Sequence, residues 1–99
     1  MSSNVIEYIL NRLENCKMFF ICIGGGCNEV SHSYFSEVVS KLANLFKINE
    51  VDEDEWEILV DVGWGYQVVG YVSIVKDHAY IELTDLLFIV EVVRRLVTS

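Results

Sequence analysis

From Trp56 to Leu83 the chain alternates apolar and polar residues, breaks, and alternates again, and this period of two belongs to β-strands. Trp56, Ile58, Val60 and Val62 alternate with Glu57, Leu59 and Asp61, which gives one strongly apolar face. Gly63-Trp64-Gly65 interrupts the run as a turn or bulge. Tyr66 to Val75 forms a second long strand, with Gly70 marking a bend in its middle. Lys76-Asp77 is a turn, and Ala79 to Leu83 is a third strand. Strands this close in sequence predict an antiparallel meander.

The rest of the chain supplies what packs on that meander. Asn4 caps a first helix, with Glu7 completing a capping box, and Ile6, Ile9, Leu10 and Leu13 fall on one helical face before Asn15 stops it. Met18 to Ile23 is a continuous apolar run too short for a buried helix, and predicts a strand covered on both faces and hence central in its sheet. Ser31 or Ser33 caps a second helix, whose periodicity runs from Phe35 through Phe46 to about Lys47. Thr84 caps a last helix, with Leu86, Ile89, Val90 and Val93 facing inward and Leu87 and Phe88 near its polar side. The predicted order is α-β-α-β-β-β-α. It makes residues 1–99 a single α+β domain with a small mixed or antiparallel four-stranded sheet and helices packed against it. A crossover between Phe20 and Val60 would make its first strand pair parallel.

The 99 residues are 53% apolar and contain no proline, which excludes a disordered chain and proline-based recognition segments. The net charge of −8 disfavours direct nucleic-acid binding and anionic membrane surfaces, because both are polyanions. Most of that charge is local. Glu50, Asp52, Glu53, Asp54, Glu55 and Glu57 place six acids in eight residues, expected as a loop or strand lead-in. Such a run is either a solvated face or a row of carboxylates that mimics nucleic acid in a basic groove. Asp52 and Asp54 are spaced like the first ligands of a calcium loop, but the central glycine and closing glutamate are missing.

Cys16, Cys22 and Cys27 are odd in number, and no basic segment precedes an apolar stretch near Met1, so the sequence predicts an intracellular, cytoplasmic protein with reduced thiols. A bond between Cys22 and Cys27 remains open at this level. No apolar run approaches the roughly 20 residues of a membrane span. Cys16, Cys22, Cys27 and His32 do not have the spacing of a zinc site. Cys27 has no arginine beside it to serve as an activated nucleophile, and neither His32 nor His78 stands in a hydrolase arrangement. The sequence therefore predicts no catalytic residue, no metal and no cofactor. Gly24, Gly25 and Gly26 follow an apolar strand and lead toward a helix, where backbone N–H groups would cradle a phosphate. The lysine of a phosphate loop is absent, and Glu29 stands where the dinucleotide pattern wants a small residue.

Trp64 between two glycines, followed by Tyr66 and Tyr71, either closes the core at a β-bulge or carries the strongest interaction signal, since aromatics concentrate at interface centres. Leu87 and Phe88 add apolar surface to it.

In composition the chain resembles the small orphan α+β proteins of archaeal viruses: short, rich in Val, Ile and Tyr, free of proline, with Gln67 its only glutamine and no catalytic signature. That resemblance implies a homodimer acting in a host cytoplasm, and some such acidic proteins inhibit host complexes. The predicted function is a non-enzymatic protein–protein interaction module that pairs with itself and binds another protein. The alternatives are an acidic inhibitor of a nucleic-acid-binding complex and a phosphate- or nucleotide-binding domain.

Overall fold

A computed structural model describes residues 2–84. Two helices and six strands follow in the order α1 (Ser2–Leu13), β1 (Met18–Ile23), β2 (Gly26–Val30), α2 (His32–Leu45), β3 (Lys47–Asp52), β4 (Glu55–Asp61), β5 (Tyr66–Val75) and β6 (His78–Leu83). The strands form one mixed sheet in the spatial order β2-β1-β6-β5-β4-β3. The α+β class holds. The expected four-stranded sheet is corrected to six strands, and the expected last helix, with Leu87 and Phe88, lies outside the described residues.

The meander is present as expected, with β4, β5 and β6 paired antiparallel. The added strands are the two edges. β2 folds back on β1 through a Gly24-Gly25 turn whose φ values of 58° and 92° suit a type I′ hairpin, the turn that matches strand twist. β3 pairs with β4 around a turn at Asp54, which has a φ of 59°. The parallel pair is β1 with β6, not β1 with β4 as the Phe20-to-Val60 crossover had it. β1 is interior, as its apolar run predicted, between β2 and β6.

Both helices lie on one face of the sheet. Ile9 and Leu13 from α1 and Phe35 and Val39 from α2 are fully buried against Trp56, Ile58, Val72 and Ile81. Each such side chain contributes about 1.5–3 kcal/mol by leaving water. Ser31 caps α2, its Oγ accepting from the Tyr34 N–H at 3.2 Å. α1 begins before Asn4, so Asn4 lies inside the helix and is not its cap.

The middle of the sheet is bent. Between Ile58 and Leu59 the β4–β5 register shifts, with Gly70 opposite Ile58 and Val68 opposite Leu59, so Val69 is the extra residue of a bulge. A Cβ on Gly70 would stand 2.4 Å from the Glu82 carbonyl oxygen, which is why no side chain fits there.

Candidate interaction surface

Strand alternation assigns the second face. With Trp56, Ile58, Val72 and Ile81 turned to the helices, their neighbours Glu57, Leu59, Tyr71 and Tyr80 point the other way. Among the described residues neither helix packs on that side. Register sets its rows. Lys47, Leu59 and Val68 form one, Asn49, Glu57, Tyr71, Glu82 and Cys22 a second, and Ser73, Tyr80 and Phe20 a third.

The apolar part of this open face is aromatic. The Phe20 and Tyr80 rings stack at 5.2 Å between centroids, and His78 meets Phe20 edge-on. Tyr71 and Tyr66 are exposed, and the Lys47 ammonium sits 4.8 Å from the Tyr66 ring centroid. Trp64 occupies the tip of the β4–β5 hairpin between Gly63 and Gly65 and is 87% exposed. It does not close the core, a role taken by Trp56, which is 1% exposed and stands edge-on to Tyr8. The sequence pointed to Trp64 and Tyr66 but missed Phe20, Tyr80, Leu59 and Val68. The available signal was Leu59 itself, an apolar residue between the acids of β4.

Carboxylates surround these aromatics. Glu29, Glu55, Glu57, Asp61 and Glu82 share the open face by alternation and register. The acidic run is therefore not a loop. It is folded into the β3–β4 hairpin and divided between the two faces of the sheet, with Glu55 and Glu57 on the open side and Glu50 opposite the helix-facing Trp56. Glu53 occupies the turn, where its N–H bonds the Asp52 carboxylate at 2.8 Å. Asp54 is taken up inside the molecule. Arg12 Nε donates to its Oδ1 at 2.8 Å and Nη2 to its Oδ2, and this hydrogen-bonded pairing, with the carboxylate's charge, raises the Arg12 pKa above the ordinary guanidinium value.

Gly24, Gly25 and Gly26 join strand to strand, so the expected lead into a helix N-terminus is corrected, and with it the geometry that would cradle a phosphate. Cys22 and Cys27 face each other across that hairpin and form a disulfide, which corrects the expectation of reduced thiols throughout. Cys16 is free and half-buried, and burial pushes its thiol pKa up. His32 lies 3.5 Å from the Glu14 carboxylate and edge-on to Phe19, away from the cysteine pair's chemistry. Among the described residues no group of three His, Cys, Asp or Glu side chains is placed to hold a metal ion. No described helix is long and apolar enough to cross a membrane. A shallow groove of about 340 Å³ lies on the helix side of the β1–β2 edge, lined by Ile21, Ile23, Asn28, Val30 and Tyr34.

No family model matches this chain, and no curated protein does. Among solved structures it is similar to a DUF4783 family protein from Bacteroides ovatus, at 9% identity over 76% of this chain and 83% of that one, with a TM-score of 0.38. It is also similar to a protein from work on an enumerative algorithm for de novo design of proteins with diverse pocket structures, at 9% identity over 83% of this chain and 95% of that one, with a TM-score of 0.41.

Proposed function

We propose that this chain is a non-enzymatic protein-interaction module whose Trp64 tip, with the exposed Tyr66 and Tyr71 beside it, contacts another protein. The observation that carries this reading is Trp64, a large aromatic held 87% exposed on a glycine-flanked hairpin, with Tyr66 exposed two residues on at the start of β5. Water-exposed aromatics grouped on one face are the anchors around which interfaces are built. The surrounding acids select the partner's charge. Pairing two copies through the open sheet face would bring two sets of Glu29, Glu55, Glu57, Asp61 and Glu82 together, and like charges brought together oppose association. The partner that fits is a different protein with an apolar centre and a basic rim. Homodimerisation, expected from the sequence, would use another surface.

The test is capture from source-cell lysate by the native chain and by a Trp64→Ser, Tyr66→Ser, Tyr71→Ser variant with unchanged circular dichroism. A partner that is held at low salt, released by added salt and lost from the variant supports the reading. Equal capture by both chains, or capture indifferent to salt, contradicts it.

A further inference from the structure

We propose that the Cys22–Cys27 disulfide is a thiol–disulfide exchange site, open to an external thiol while the domain stays folded, and not a staple that holds the fold together. The two residues are direct register partners in the β1–β2 hairpin, only five apart in sequence. A cross-link gains most by closing a long loop, and this one closes a short loop already shaped by the Gly24-Gly25 turn. It lies outside the cluster that packs beneath the two described helices. Cys22 is buried on the sheet face turned away from α1 and α2, while its partner sulfur is carried by an exposed residue. β2 is an edge strand, and Cys27 on it is exposed. Disulfides placed this way are the labile ones.

The asymmetry of burial fixes the direction of the step. The external thiolate attacks Cys27 Sγ, the Sγ–Sγ bond breaks, and Cys22 leaves as a thiolate that takes up a proton. Glu82, the register partner of Cys22 on β6, puts a carboxylate beside the departing sulfur, so Cys22 ends as the protonated thiol and is not kept as a thiolate. A second thiolate then attacks the reductant's sulfur in the mixed disulfide, and Cys27 leaves and is protonated in turn. Two thiols of the reductant become its disulfide, and the protein gains two S–H groups.

The experiment treats the native, oxidised chain with dithiothreitol or with glutathione and counts free thiols without denaturant. An exchange site releases both thiols from the folded chain at a rate within about tenfold of the urea-unfolded chain, with the far-ultraviolet circular dichroism unchanged. At limiting glutathione the reaction stops at the mixed disulfide, with the adduct on Cys27 and one free thiol released. Thiols that appear only after unfolding, loss of sheet on reduction, or an adduct on Cys22 would each overturn the proposal. So would native protein purified under air with all three cysteines free. A Cys22→Ser, Cys27→Ser variant keeps the sheet if the account is right and unfolds if the bond is a staple.

Discussion

Arg12, in the last turn of α1, and Asp54, in the turn between β3 and β4, form a two-pronged ion pair across 42 residues of sequence. The same Asp54 accepts the Ile74 N–H at its backbone carbonyl, 2.9 Å away, so one residue ties helix, hairpin and β5 together. This clamp holds the acidic hairpin against the body of the domain and takes one carboxylate out of the charged run. Arg12→Ala and Asp54→Ala should each lower the melting temperature by a few degrees. The double variant should fall no further than the worse single one, because both remove the same contact. Additive losses would show that the two side chains act separately.

The pH dependence follows from two groups. Arg12 has its pKa raised by the Asp54 hydrogen bonds and charge, so its contribution is present below the ordinary guanidinium value and lost only as pH rises past a still higher one. Between about pH 7 and pH 10 the arginine end of the clamp stays charged. Cys16 behaves differently. Burial first, then the charge of Asp77, raises its pKa against the lowering effect of Arg12, so the folded chain keeps the thiol proton longer than the unfolded chain. Stability then falls as pH rises above about 8.5, and Cys16→Ala should flatten that decline. Urea midpoints measured across this range for both chains decide it, and identical slopes would contradict the assignment.

Gly70→Ala should cost about 1–3 kcal/mol or more, because the new methyl group meets the Glu82 carbonyl oxygen at 2.4 Å, and backbone cannot swing aside as a side chain can. Denaturant titration reads the change directly. An unaltered midpoint would mean that β5 and β6 do not approach this closely.

The two tryptophans should separate spectroscopically. Trp56 is sealed in the core and Trp64 is open to water. Trp64→Phe should therefore leave blue-shifted emission that resists acrylamide, and its stability should stay within about 0.5 kcal/mol of the parent. Phe35→Ala, a fully buried residue of α2, should by contrast cost about 3–5 kcal/mol. That is a large part of the roughly 5–15 kcal/mol a domain of this size possesses.

The interior of the sheet was legible in the sequence because buried strands carry an apolar pattern. Trp56, Ile58 and Val60 alternate, and Met18 to Ile23 is apolar without a break. The edge strands have neither signal. Gly26 to Val30 is GCNEV, with no residue fully buried, and β3 buries Ile48 alone, so its acids masked it as a loop. The glycine triplet misled for a related reason. A turn rich in glycine serves a hairpin as well as a helix entry, and local sequence does not choose between them. Trp64 announced itself by its flanking glycines. The wider aromatic face did not, since Phe20 meets Tyr80 only because β1 pairs parallel with β6, a contact across sixty residues that no local pattern encodes.

The central claim is that a partner docks around Trp64, Tyr66 and Tyr71, and site-directed photocrosslinking tests it most directly. A photoreactive phenylalanine analogue would replace Trp64 in one chain, Tyr71 in a second, and Leu45, which is 66% exposed on α2, in a third. The account expects covalent capture of one protein from positions 64 and 71 and none from position 45. Capture from position 45 with none from 64 or 71 would contradict it and move the contact surface to the helices.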